Sequence, residues 1–225
     1  MDAQVIYNPK ETKNQKKNNS IVPLNIGEFE SVNMNGPFKL VLYKSDSHQA
    51  HIEAFTGIHE YIDMKTEGGV LKIGWKNKPK NMKGGDIEIR VPFQHINNIA
   101  LIGSGDVIAQ DEIETTNLTL TIQGSGDFNL AVKTETLVAM VSGSGDMSLT
   151  GSTNKLSASV MGSGDIEAKK LKSKTATAAL NGSGNVEILC EETVDAMLQG
   201  SGDIIIAGKA KVNQSIQGSG NITKL

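Results

Sequence analysis

Leu137-Val138-Ala139-Met140-Val141-Ser142-Gly143-Ser144-Gly145-Asp146-Met147-Ser148-Leu149 decides the fold. Apolar side chains at every second position lead into a Gly-Ser-Gly-Asp turn, and the same parity resumes after it, as in a strand with one buried face. Gly-Ser-Gly recurs at Gly103, Gly124, Gly143, Gly162, Gly182, Gly200 and Gly218, in steps of 21, 19, 19, 20, 18 and 18 residues. A period of this size repeated seven times marks a stacked repeat architecture.

Aligned on the first glycine, the positions two, four and six before it are apolar in nearly every copy: Leu118/Leu120/Ile122, Leu156/Ala158/Val160, Val194/Ala196/Leu198. The parity places both glycines of each turn (Gly103 and Gly105, Gly124 and Gly126, Gly143 and Gly145, Gly162 and Gly164, Gly182 and Gly184, Gly200 and Gly202, Gly218 and Gly220) on the inward side. Serine and the following Asp or Asn face outward. A tight corner where a side chain would crowd the interior selects glycine. Two short strands per period and no helical segment predict an all-β fold: a single-stranded parallel β-helix, or β-solenoid, with coils of about 18–21 residues. The right-handed rule for parallel crossovers favours a right-handed β-helix, with the left-handed hexapeptide helix, whose six-residue period is not seen here, as the runner-up fold. Seven coils at roughly 4.8 Å make a rod about 34 Å long.

The composition agrees. Hydrophobic residues are 38% and aromatics 4% of the 225 residues, thin for a compact core but sufficient for a long, narrow one. The repeat turns account for 14 of the 24 glycines. Net charge is −3, and Arg90 is the single arginine, so dedicated nucleic-acid binding is excluded. Cys190 stands alone, which rules out an intramolecular disulfide and a cysteine metal cluster and leaves a packing role. No stretch reaches the roughly 20 apolar residues of a membrane-spanning helix.

Three regions follow. Residues 1–20 read as a flexible, Lys-rich polar leader. Residues 21–98 read as an irregular β region forming the first coils, with strands at Phe38–Tyr43, Val70–Trp75 and Ile87–Val91, and turns at Asn35-Gly36-Pro37, Glu67-Gly68-Gly69 and Lys83-Gly84-Gly85-Asp86. Residues 99–225 are the seven-repeat β-helix, continuous with what precedes it. Its final copy lies four residues from Leu225, and an exposed strand edge there would invite self-association, with Lys224 at an apolar position as a guard.

The Gly-Ser-Gly-Asp/Asn turns, with the lead-in Ile87-Glu88-Ile89-Arg90-Val91-Pro92 running to Leu101-Ile102-Gly103-Ser104-Gly105-Asp106, resemble the bacterial family known as "putative autotransporter adhesin, head GIN domain" over roughly residues 26–225. The resemblance implies a right-handed β-helix of pectin-lyase-like shape, an exported protein and a role in adhesion to a cell-surface glycan or protein. It carries over no catalytic residue.

The outward column Asp106, Asp127, Asp146, Asp165, Asn185, Asp203, Asn221 admits two readings. Carboxylates about 4.8 Å apart repel by roughly 0.9 kcal/mol in water, and bound calcium on Asp106, Asp127, Asp146, Asp165 and Asp203 would compensate in a calcium-stabilised rod. In the other reading, which the two asparagines favour, each side chain accepts a backbone N–H in its own turn. A carbohydrate-active β-helix enzyme is the rival function. Repeated aspartates in near-identical environments do not separate two pKa values as a catalytic pair requires, and the repeats hold no histidine or arginine, so the expectation is a non-enzyme without cofactor. His48 and His51, three apart, face opposite ways on a strand and form no metal pair. Trp75 beside Lys76, Lys78, Lys80 and Lys83 could stack a sugar or end a solvated hairpin. Polar outward positions such as Thr119/Thr121/Gln123, Ser157/Ser159 and Asn213/Ser215/Gln217 stack into a flat face, on which Gln123, Gln199 and Gln217 are candidate contacts with a surface partner.

Overall fold

The computed structural model describes residues 19–55, 57–77 and 87–225. Residues 1–18 of the leader, and Lys78, Lys80, Lys83 and the turn at 83–86, lie outside the described residues. The strands are β1 (Asn19–Asn25), β2 (Ser31–Asn35), β3 (Lys39–Lys44), β4 (Gln49–Phe55), β5 (Ile62–Glu67), β6 (Val70–Trp75), β7 (Glu88–Phe93), β8 (Asn98–Gly103) and β9 (Asp106–Ala109). They continue as β10 (Ile113–Gly124), β11 (Asp127–Gly143), β12 (Met147–Gly162), β13 (Ile166–Gly182), β14 (Asn185–Gly200), β15 (Asp203–Ala207), β16 (Lys211–Gly218) and β17 (Asn221–Lys224). The helical content of the described residues is a single 3-10 turn at His59–Tyr61. β1 begins at Asn19, inside the span read as leader.

From β8 onward the chain winds as a parallel solenoid, with each coil in register on the last: Gly103, Gly124, Gly143, Gly162, Gly182, Gly200 and Gly218 form one column. Instead of two short strands per period, each central coil is one strand of 16 or 17 residues that begins at or just after the Asp/Asn of one turn and ends at the first glycine of the next, passing on the way through a further ladder, Ile113–Thr115 on Val132–Thr134 on Gly151–Thr153.

The core is a set of columns. Ala139, Ala158, Ala178 and Ala196 stack behind the strand that enters the turn, beside the column Val141, Val160, Leu180, Leu198. Small side chains fill so narrow an interior, which explains the scarcity of aromatics. At the bend the inward column turns polar. The Thr134 hydroxyl donates to Thr153 Oγ1 (2.9 Å), the Ser173 hydroxyl to the Leu189 carbonyl (2.8 Å) and the Cys190 thiol to the Lys174 carbonyl (3.1 Å), so the buried donors are satisfied.

The Gly-Ser-Gly turn needs glycine for reasons its parity did not show. The second glycine is buried and the first is only half-buried. Gly143 adopts φ of +133°, and a Cβ on it would fall on the Gly124 carbonyl oxygen; a Cβ on Gly145 would fall on that of Gly126. The first obstacle is the backbone of the coil beneath, and at the second glycines the interior adds to it, since a Cβ on Gly126 would also meet Leu101 and one on Gly164 would meet Val141.

The first coils are stacked out of chain order. β2 pairs in parallel with both β6 and β8, and β3 with both β7 and β9. The coil β2–β3 is therefore sandwiched between β6–β7, which comes later in the chain, and β8–β9. Antiparallel strands close the outer side: β4 on β7, β1 on β4, and β5 on β6. Pro23 sits in β1, the edge strand of this cap, where it withholds a donor from further pairing. On β16 the alanine column ends in exposed Gln214, and Lys224 Nζ donates to the Ala210 carbonyl (2.7 Å).

Candidate functional site

The strand entering each turn presents three outward positions per coil, and eight coils line them up. The outermost column is Asn35, Ile102, Gln123, Ser142, Met161, Asn181, Gln199, Gln217. The middle one is Asn33, Ala100, Thr121, Met140, Ser159, Ala179, Met197, Ser215, and the third is Ser31, Asn98, Thr119, Val138, Ser157, Thr177, Asp195, Asn213. Asp195 is the one charged residue among these 24 positions. A soluble surface ordinarily carries about one charge in three or four positions, so this face is depleted of charge. It spans roughly 34 Å along the rod and about 13 Å across.

The expected small and polar character holds only in part. Gln123, Gln199 and Gln217 are exposed and share the outermost column, but Ile102, Met140, Met161 and Met197 are exposed on the same face, Met161 at 55% and Met197 at 52%. Hydroxyls and amides thus alternate with soft apolar side chains, and within these eight coils no aromatic or basic group interrupts them; Lys72 of β6, beside Asn33, ends the uncharged middle column. The depletion was legible in the sequence by reading every second residue before each turn. The polar examples Thr119/Thr121/Gln123, Ser157/Ser159 and Asn213/Ser215/Gln217 alone do not reveal it, because they leave out the uncharged Met140 and Met197 of the coils between them and Met161 after Ser159.

Around the corner lies the acidic ladder, and its bonding partner differs from the one expected. Five of the side chains accept the N–H of their counterpart in the next coil rather than one in their own turn: Asp146 N–H donates to Asp127 Oδ1 (2.9 Å), Asp165 N–H to Asp146 Oδ1 (2.9 Å), Asn185 N–H to Asp165 Oδ1 (2.7 Å), Asp203 N–H to Asn185 Oδ1 (3.3 Å) and Asn221 N–H to Asp203 Oδ1 (2.9 Å). An amide oxygen accepts as a carboxylate does, so asparagine fits at 185 and 221. Among the described residues no group of three or more His, Cys, Asp or Glu is arranged to hold a metal ion.

The ladder's column continues into the first coils as Asp106, Lys39, Glu88. Lys39 Nζ turns to Glu88 Oε2 (2.9 Å), and its hydrogen bond and charge, with help from Arg90, hold that carboxyl below the ordinary range against the opposing effect of partial burial. Asp106 is left next to Asp127; burial first, then the Asp127 carboxylate, push its pKa up, with the Asp127 amide and Lys39 as lesser counterweights.

Trp75 is half-buried against Phe38, with ring centroids 4.9 Å apart, and its indole N–H is buried without a partner. It is therefore placed as a packing residue rather than an open platform. His48 lies in the turn before β4 and His51 within β4, opposite Arg90 of β7. Among the described residues no helix is long and apolar enough to cross a membrane.

Comparison with known proteins agrees with this architecture. The family model described as "Putative auto-transporter adhesin, head GIN domain" matches residues 28–210. A solved structure from Bacteroides fragilis, described as a "putative adhesin", is 22% identical and superposes with a TM-score of 0.87 over 93% of this chain and 98% of its own. One from Parabacteroides distasonis, described as a "putative lipid binding protein", is 22% identical with a TM-score of 0.76, over 92% of this chain and 97% of its own. A "putative adhesin" from Parabacteroides merdae is 18% identical with a TM-score of 0.70, over 92% and 96%. At such identities these structures speak for the fold. The search of curated proteins found no match.

Proposed function

Because the chain belongs to the family described as "Putative auto-transporter adhesin, head GIN domain", we propose that it is a non-enzymatic, extracytoplasmic module that holds a surface glycan or protein against the flat face of its solenoid. The observation that supports this most is the single charge among the 24 outward positions of that face. Interface centres are depleted of charge and enriched in methionine, as here. The absence of Trp, Tyr and Phe means that no few anchors dominate, so affinity comes from many weak contacts repeated along the rod. An uncharged polysaccharide, with hydroxyls for the Thr, Ser, Asn and Gln rows and C–H faces for the methionines, is the partner such a surface suits best.

The test is binding to a glycan array, and to immobilised envelope extract, by the wild-type protein and by a variant with Thr121→Lys, Ser159→Lys and Met197→Lys in the middle column. All three positions point outward, so the variant should keep its melting temperature within a few degrees. Binding should fall at least about tenfold. Unchanged binding would remove the face from the proposal, and cleavage of a bound polysaccharide would overturn the non-enzymatic reading. Parallel runs with calcium and with EDTA test the acidic ladder as a metal-dependent contact.

A further inference from the structure

The out-of-order stacking of the first coils creates a cleft that the flat face does not use. Four turns converge there: those before β2, before β4, between β5 and β6, and between β7 and β8. Their backbones are tied together, with Ile26 N–H on the His48 carbonyl (2.8 Å), Glu30 N–H on that of Gly69 (3.0 Å), Ser45 N–H on that of Phe93 (3.1 Å) and Asn97 N–H on that of Glu30 (2.8 Å). The walls are fixed before any ligand arrives. The cleft has a volume of about 290 Å³, with Phe29 and Phe93 giving apolar surface and Glu28, Glu30, His48 and His95 around them.

We infer that this cleft binds a primary ammonium group carried on a small frame, either a lysine side chain or an amino sugar. Its volume lies at the bottom of the range for small-molecule sites, which suits one residue or one sugar and excludes a longer ligand. Among the described lining residues there is no lysine or arginine, so the two carboxylates give the cleft negative charge. Glu30 is held by the side-chain amide of Asn97 (2.9 Å), whereas Glu28 is exposed and, among the described residues, engages no protein partner. Glu28 is the carboxylate free to pair with an incoming cation. Half-buried Phe29 beside it lines the same cleft and adds an aromatic ring, a group to which an ammonium is also drawn. A neutral sugar would gain little from that arrangement, and an anion would be repelled.

The experiment follows backbone amide shifts of the whole chain during titration with Nα-acetyl-lysine N-methylamide and with glucosamine. Nα-acetyl-norleucine N-methylamide and N-acetylglucosamine are the uncharged controls. At least one ammonium compound should bind in the millimolar range, with shifts at residues 28–31 and 93–97. Response to the lysine compound alone identifies a peptide source, and response to glucosamine alone an amino-sugar source. Glu28→Gln, an exposed change, should weaken binding about fivefold or more. The triple lysine variant of the flat face should bind as the wild type does, which separates this site from the proposed function. Failure of both ammonium compounds, equal binding of their uncharged controls, or indifference to Glu28→Gln would each overturn the inference.

Discussion

The coils from β8 onward and the coils before them share one stack but are held by different means. In the repeats, backbone lies on backbone so closely that the turn accepts only glycine, and one column of acids bonds coil to coil through main-chain N–H groups. In the first coils the same columns hold different chemistry. Phe38 occupies the place of the second turn glycine, since a Cβ on Gly105 would fall on the Phe38 carbonyl oxygen. Lys39 and Glu88 replace the acids with an ion pair. The bulky ring at Phe38 is seated against Trp75 of β6, with centroids 4.9 Å apart. Repetition therefore constrains side chains more tightly than position in the rod does.

That difference is broken most severely at a glycine. Gly143→Ala combines a positive φ with a collision against a carbonyl that the ladder prevents from moving, and should cost about 3 kcal/mol or more. For a chain of this size the melting temperature would drop by roughly 6–12 °C or more. Gly74→Ala in β6 is the matched control. Its Cβ would meet only the Asn35 carbonyl oxygen at 3.6 Å, an ordinary contact, and its φ is unremarkable, so thermal unfolding should move by no more than about 2 °C. Equal losses at the two sites would mean that the stacks are equally tight.

The next effect belongs to the ring that takes the glycine's place. Phe38 is fully buried against Trp75, and Phe38→Ala should cost about 3 kcal/mol, the lower end for a buried phenylalanine, through lost burial and the cavity left behind. Trp75 is the protein's one tryptophan, so its fluorescence reports the change locally. A shifted emission with unaltered circular dichroism is expected, because the damage stays in the first coils. Loss of the parallel stack as a whole would show instead that those coils nucleate the rest.

These two regions were unequally legible in the sequence. A seven-fold Gly-Ser-Gly period with alternating apolar positions admits few structures, and the turn column and inward columns emerge as the spacing implies. The threading of β2–β3 between β6–β7 and β8–β9 could not be read, because no repeat marks which strand neighbours which. Asn35-Gly36-Pro37 reads as a turn before a strand that starts at Phe38, and not as the degenerate member of the series, because proline and phenylalanine hide the motif. The coil-to-coil bonds of the aspartates escaped for a related reason. An Asp beside its own turn has a local donor at hand, and only the stacked geometry shows that the donor one coil away is the one used. The cleft at Glu28 draws its residues from four separated turns, which no local pattern connects.

The smallest expected effect tests the junction between the two regions. Asp106 is the acid at which the same-sign column begins, with Lys39 already committed to Glu88. Burial and the Asp127 carboxylate raise its pKa in the folded protein, so the native state holds that proton more tightly than the unfolded chain does. Stability from this group is therefore complete below the unfolded value of about 3.9 and is lost as pH rises through the folded value. At neutral pH the charged side chain is a net penalty. Asp106→Asn keeps an oxygen acceptor on the column and removes the charge, as Asn185 and Asn221 do naturally. Because the group is largely exposed and screened, the gain should be only about 1–2 °C at pH 7. It should shrink to nothing when unfolding is measured below about pH 3, where the aspartate is protonated in both states. The same substitution at Asp146, whose Oδ1 accepts the Asp165 N–H and whose own N–H donates to Asp127 Oδ1, should leave the melting temperature unchanged, because an amide oxygen accepts in the same place. A loss of stability from Asp106→Asn at pH 7 would show that Lys39 serves both acids, and that the two regions meet in one charge network.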